Sequence, residues 1–175
     1  PTGFQFSNKD LEKLIKSFSG PIIIDEAYGE FSNSSVLSLV KKYPNIILVK
    51  TLSKAFGLAG LRIGYMIADK KITEVFSNVI QYPYPLNTLA IECGILAIEK
   101  SKQIIPIFEV IKKQRARIIK NLKKYDAFDV FDSNANFVLF DAKGADTRVY
   151  NALIEQGISI RKLGKLASHK GCLRV

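Results

Sequence analysis

Apolar and polar positions change rhythm several times along the chain. Across residues 7–18, Leu11, Leu14, Ile15 and Phe18 recur at helical spacing, and Ser7-Asn8-Lys9-Asp10 offers capping side chains, so a helix is predicted there. Residues 21–25 then run apolar without alternation and end in Asp25, the pattern of a parallel strand buried on both faces. Residues 45–50 repeat that pattern, residues 36–43 predict the crossover helix between the two, and residues 61–68 predict a third strand. Helices interposed among such strands imply an α/β fold with a mostly parallel sheet.

After Pro83 and Pro85 the rhythm lengthens. Residues 86–100 and 104–124 read as long helices, with Pro106 placed in the first turn of the second. Short strands are predicted at 129–131, 136–141, 158–162 and 172–175, around one helix at 147–156, which is α+β in character. The predicted organisation is a large-domain portion over residues 1–85, connecting helices over 86–124, and a small α+β domain over 125–175.

Composition narrows the class. The chain has 175 residues, 47% of them hydrophobic and 24% charged, a balance that buries a core and excludes a disordered chain. No apolar run reaches the roughly 20 residues that cross a bilayer, and no leader pattern opens the chain, so no membrane role and a cytoplasmic location are expected. Cys93 and Cys172 lie far apart in apolar patterns and read as buried thiols rather than a metal pair or a disulfide. The net charge of +10 raises nucleic-acid binding. Its densest run, Lys112, Lys113, Arg115, Arg117, Lys120, Lys123 and Lys124, alternates at helical spacing with Ile111, Ile118, Ile119 and Leu122, so it reads as the solvated face of an amphipathic helix. No nucleic-acid partner is expected, and the basicity favours phosphorylated or carboxylate small molecules.

One segment concentrates chemistry. In "TLSKAFGLAGLRIGY", residues 51–65, a single lysine, Lys54, stands among small and apolar residues, with Thr51 and Ser53 before it and Arg62 after it. A nucleophilic lysine must spend time unprotonated, which an apolar enclosure beside another cation favours. Two hydroxyls and a guanidinium suit a phosphate dianion. Ligands of parallel sheets sit beyond the carboxyl ends of the strands, where Asp25 and Lys54 both fall. Asp25 could hold a protonated heteroaromatic nitrogen, and Tyr28 could donate its phenol to a ring oxygen. Together these describe a pocket for pyridoxal 5'-phosphate. Gly57, Gly60 and Gly64 do not form a GxGxxG fingerprint and read as turn residues. His169 receives no role, and Asn136 reads equally as a strand-edge amide or a site residue.

The segments "PIIIDEAYGEF", "TLSKAFGLAGLRIGY" and "GCLRV" resemble the fold-type I, class I/II aminotransferases that depend on pyridoxal phosphate, and among them the histidinol-phosphate branch. The resemblance spans essentially the whole chain. It implies part of the fold-type I large domain followed by a small α+β domain. It also implies Lys54 as the catalytic, cofactor-bonding lysine, Asp25 on the pyridine nitrogen, Tyr28 on the ring hydroxyl, and Thr51, Ser53 and Arg62 on the phosphate. Arg174 then matches a carboxylate-binding arginine and Arg161 a second substrate arginine, although residues 162–170 read as a basic loop. The implied reaction is transamination between L-histidinol phosphate and 2-oxoglutarate, giving imidazole acetol phosphate and glutamate, in a homodimer. Enzymes acting on aromatic or acidic amino acids, threonine-phosphate decarboxylases, and a non-catalytic basic binding module are the alternatives. By the same resemblance the chain corresponds to about the C-terminal half of a family enzyme, its opening Pro1-Thr2-Gly3 resembling the end of an Asn-Pro-Thr-Gly motif. Half a sheet would leave apolar surface uncovered.

Overall fold

The first helix, α1 (Asn8–Ser17), starts where Ser7 Oγ accepts the Asp10 amide at 3.1 Å, and it buries Ile15. A computed structural model describes residues 2–175, and the chain divides into two compact units: residues 6–108, and residues 109–175 with the described residues up to Gln5. The division falls inside a single helix.

In the first unit, β1 (Ile22–Asp25) and β2 (Ile46–Thr51) pair in parallel, Ile22 opposite Ile46 and Asp25 opposite Val49. The helix α2 (Leu37–Lys42) connects them as predicted. The third strand, β3 (Gly64–Ala68), differs from expectation in two ways. It begins three residues late, because Ala59–Leu61 forms a 3-10 turn, and it runs antiparallel to β2. Residues 52–63 contain no crossover helix to carry the chain back, and the Leu52 amide bonds Ile63 O at 3.1 Å, closing the segment as a loop.

Side chains alternate across this sheet. Ile22, Ile24, Ile46, Leu48 and Ile67 pack under Leu11, Ile15, Leu39 and Val40 from α1 and α2, with Ile46 and Leu48 at 0% exposure. Lys42 and Tyr43 at the end of α2 both bond Glu12 of α1, which holds its carboxyl down to about 2. The opposite face departs from the both-faces-buried pattern. Ile23 is 69% exposed, and with Ile47, Val49 and Met66 it lines a cleft of about 1440 Å³. No described residue of the unit lays a second layer over it. The cleft is walled by α3 (Lys70–Val75), capped by Asp69, and by the π-helical turn Phe76–Ile80.

Helix α4 (Thr88–Glu99) starts at Asn87, whose side chain accepts the Ala90 amide at 2.9 Å. It buries small residues, Ala90, Gly94 and Ala97, and leaves Leu89, Ile95, Leu96 and Ile98 exposed. Helix α5 (Ser101–Leu122) begins before the predicted start, so Pro106 lies inside it rather than in its first turn. The ring forfeits one amide bond near the helix start, and the helix continues.

The second unit is an antiparallel sheet in the order β4 (Asp129–Val130), β5 (Leu139–Asp141), β7 (His169–Arg174), β6 (Arg161–Leu166). Helix α6 (Asp146–Glu155) lays Val149 and Tyr150 against Phe140, Ala142 and Leu173. Residues 162–170, expected as a basic loop, are most of a β-hairpin turning at Ala167 (φ 51°) and Ser168, with Gly164 (φ 69°) at a bulge. Leu163 and Leu166 interleave with the lysines, which lets the exposed cations coexist with strand pairing. His169 has a structural partner: its Nδ1 lies 3.2 Å from Asp141 Oδ2. Cys172 is buried as expected, whereas Cys93 is only half-buried, because α4 turns toward the core on its smaller residues. Asn136 is exposed.

Candidate active site

The two loops predicted to carry chemistry leave the carboxyl ends of the adjacent parallel strands β1 and β2. After β1, Asp25 Oδ1 accepts the Ala27 amide at 2.8 Å, which fixes the carboxylate at the head of the turn. Its other oxygen has no protein partner among the described residues, and Asp25 is exposed. The Glu26 amide bonds Val49 O at 2.9 Å, and a 3-10 turn, Gly29–Phe31, follows. Tyr28 is held at the entrance to that turn, half-buried.

After β2 the loop alternates by function. Leu52 and Ile63 point inward and pack with Ala90 of α4, flanked by Phe56, Leu58, Leu61 and Leu86. A Cβ on Gly94 would sit 3.2 Å from Ile63 Cδ1, so that glycine sets how closely α4 approaches the loop. Phe108 packs edge-on against both Phe31 and Phe56, at 5.9 Å each, tying the turn after β1 to the loop after β2. Above this apolar base, Thr51 Oγ1 lies 2.8 Å from Ile63 O and 2.9 Å from Ser53 Oγ, and accepts the Ser53 amide at 3.0 Å. Thr51 therefore spends its hydroxyl on shaping the loop, and Ser53 is the better placed of the two to donate outward.

Lys54 stands next, its Nζ 5.6 Å from the centre of the Tyr28 ring. The structure thus brings Lys54 and Tyr28 together. It does not enclose Lys54, which is exposed, so the apolar pocket expected around it is not built by the described residues. Gly57 takes a positive φ of 70°, as the turn reading requires. Gly60 does not. The left-handed position after the 3-10 turn is filled by Arg62 (φ 56°, ψ 37°), whose Nη1 donates to Ala59 O at 3.0 Å. Arg62 is exposed, and that bond uses one of its five N–H donors.

In the second unit, Arg161 and Arg174 are cross-strand register partners on β6 and β7. Arg161 is exposed, and the Arg174 guanidinium lies 4.6 Å from the centre of the Phe137 ring. These two arginines are therefore also brought together, by strand register.

Sequence reasoning missed a buried cluster beneath the site. Lys50 Nζ lies 2.9 Å from Glu30 Oε1 and 3.5 Å from Glu26 Oε2, with the three side chains 15%, 14% and 6% exposed. The available signal was three charges placed inside otherwise apolar or small-residue motifs.

The donor set fits pyridoxal phosphate. A primary amine, a carboxylate with a free oxygen, a phenol, and a hydroxyl and guanidinium suited to phosphate all lie within the two loops. None of Asp25, Tyr28, Lys54 or Arg62 lines the 1440 Å³ cleft, which is an uncovered sheet face and not the place of this chemistry.

Comparison with known proteins agrees. Residues 1–175 match the family described as aminotransferase class I and II. The chain is 37% identical over 175 residues to the histidinol-phosphate aminotransferase of Thermoanaerobacter pseudethanolicus, covering 100% of this chain and 49% of that protein. A decarboxylase from Sulfurospirillum multivorans superposes with a TM-score of 0.83 at 29% identity, over 100% of this chain and 53% of that one. Histidinol-phosphate aminotransferase from Sinorhizobium meliloti, solved with pyridoxal-5'-phosphate, superposes with a TM-score of 0.83 at 25% identity, over 99% of this chain and 49% of that one. The chain spans about half the length of the curated relatives it matches. It belongs to the class I and II aminotransferases, a pyridoxal-phosphate-dependent family of fold type I.

Proposed function

We propose that this chain supplies the lysine-bearing part of a pyridoxal-phosphate aminotransferase that moves an amino group between L-histidinol phosphate and 2-oxoglutarate. The observation that carries the reading is the placement of Lys54 against Tyr28, beyond the paired ends of β1 and β2, with Asp25 on the neighbouring strand end. The 37% identity to a histidinol-phosphate aminotransferase supports the choice of substrate pair.

Bound pyridoxal phosphate supplies an electron sink for the pair left when the substrate α-carbon loses its proton. The Lys54 amine would hold the cofactor and, when free of it, would be the base that takes the substrate α-proton and the acid that returns it. The free Asp25 oxygen would be the acceptor that holds a proton on the cofactor's ring nitrogen. Tyr28 would donate its phenol to the ring oxygen. Ser53 and Arg62 would hold the phosphate, with Thr51 fixing the loop that presents them. Arg174 and Arg161 bind the substrate carboxylate and phosphate, and a homodimer completes the enzyme.

The likeness to a decarboxylase at 29% identity supports a second reading, loss of carbon dioxide from an amino-acid substrate on the same lysine. Both readings require Lys54 to capture the cofactor. The test is pyridoxal phosphate uptake by visible absorption, then borohydride reduction and peptide mapping. A single adduct on Lys54, absent in Lys54→Ala, supports the shared chemistry. Glutamate release from histidinol phosphate plus 2-oxoglutarate then separates transfer from decarboxylation. Labelling scattered over surface lysines overturns both.

A further inference from the structure

The cluster under the site has an arrangement that plain packing does not require. Lys50 belongs to β2, while Glu26 and Glu30 belong to the turn after β1, so its two contacts, at 3.5 and 2.9 Å, bridge separate elements. Those elements carry the two halves of the candidate site: Asp25 and Tyr28 on one, Thr51, Ser53 and Lys54 on the other. Glu26 is held further, its Oε1 accepting the Val36 amide at 2.6 Å and its Oε2 the Ser35 hydroxyl at 2.8 Å. A side chain on Gly29 would meet Glu26 Oε2 at 3.1 Å and Lys50 Nζ at 3.2 Å, so the turn closes directly over the charges. Glu30 Oε2 is buried without a hydrogen-bond partner, so that carboxylate depends on Lys50.

We propose that Lys50 is a positioning residue, a buried cation that clamps the turn carrying Asp25 and Tyr28 to the strand end carrying Lys54. One cation between two carboxylates is directional. Without it, two like charges share a poorly hydrated space and repel, and the turn bearing them must open. Burial opposes the charge on Lys50, but the bond and charge of Glu30 and the charge of Glu26 outweigh it and raise its pKa, so the clamp stays charged at neutral pH. Tyr65, the register partner of Lys50 on β3, faces the same charges. The inference deepens the reading of Asp25, Tyr28 and Lys54 as cofactor residues and rests on it.

The test compares Lys50→Met, Lys50→Arg and Glu30→Gln in the 175-residue chain by hydrogen exchange and by pyridoxal phosphate affinity. Lys50→Met should speed exchange of the Gly29, Phe31 and Val36 amides by about tenfold or more, with the amides of α6 unchanged. Lys50→Arg should restore protection. Glu30→Gln, which leaves the Lys50 to Glu26 contact, should give a smaller change in the same amides. Cofactor dissociation constants should rise in the same order, by roughly tenfold for Lys50→Met. If Lys50→Met does not fold, Lys50→Arg and Glu30→Gln carry the test. Protection unchanged in Glu30→Gln overturns the clamp, as does protection lost equally across the first unit. Failure of the unmodified chain to label at Lys54 overturns the cofactor reading instead, and leaves the exchange result to decide the clamp.

Discussion

Arg62 occupies the left-handed region with φ 56° and ψ 37°, where a side chain costs about 1–2 kcal/mol and glycine almost nothing. Replacing it by alanine removes the guanidinium and its 3.0 Å bond to Ala59 O but keeps the strain. Replacing it by glycine removes both. Glycine also carries a looser unfolded chain, a penalty of roughly 0.5–1 kcal/mol relative to alanine. The two terms leave Arg62→Gly more stable than Arg62→Ala by roughly 0–1.5 kcal/mol. At an ordinary helical site the order reverses: Ala116→Gly on the exposed face of α5 should cost about 1 kcal/mol. Urea unfolding with a common m-value reads all three as midpoint shifts. Both Arg62 variants should also lose affinity for pyridoxal phosphate equally, since neither keeps the fork. An Arg62→Gly less stable than Arg62→Ala by the helix-like increment would refute backbone strain at this position.

Asp141 is 4% exposed. Burial alone would raise its pKa, yet the amides of Lys143, Gly171 and Lys170 and the His169 ring bring it below the usual value. A depressed carboxyl stabilises the fold above its unfolded pKa and loses that contribution as pH falls through the lower folded value. Asp141→Asn should therefore cost about 1.5–3 kcal/mol at pH 7 and flatten the acid limb of the stability curve below about pH 4. An unchanged acid limb would count against this. Leu48→Ala, at 0% exposure between the sheet and its helices, should cost about 2–5 kcal/mol in urea unfolding, whereas Ile23→Lys on the open face should stay within about 0.5 kcal/mol. Equal losses at the two positions would mean the sheet is covered on both sides. Gly171→Ala, whose Cβ would lie 2.8 Å from the Gly144 amide nitrogen, should lower the melting midpoint and loosen the Asp141 hub; a neutral result would place the two backbones farther apart.

Much of the fold was legible because it is local. The helical spacing of Leu11, Ile15 and Phe18, and the apolar runs ending at Asp25 and Lys50, encode elements that tertiary contacts only confirm. What was not legible depended on partners distant in sequence. Residues 162–170 look like a basic loop because lysines recur in them, and only the pairing of Arg161–Leu166 against His169–Arg174 reveals the hairpin. The direction of β3 likewise turns on whether residues 52–63 cross over or fold back, which one amide bond decides. At the site, residue types pointed to Lys54, Asp25 and Arg62, but not to Arg62 taking the left-handed position that Gly60 was expected to ease. Nor could they reveal Lys50, whose meaning lies in contacts to Glu26 and Glu30, at least twenty positions away.

The pairing of Arg161 opposite Arg174 makes the edge strand β6 and its inner neighbour β7 sensitive to what is dissolved around them. Directly opposed like charges weaken a ladder, so this hairpin stands at its least stable in dilute, weakly binding buffers. Any dianion that spans both guanidinium groups, inorganic phosphate or sulfate included, is linked to the folding of that ladder and raises its midpoint in proportion to RT ln(1 + [L]/Kd). Such binding would make buffer choice a structural variable for this unit: melting curves recorded in phosphate and in Tris chloride at matched ionic strength should then differ at this hairpin, and equal midpoints would mean that no dianion bridges the pair.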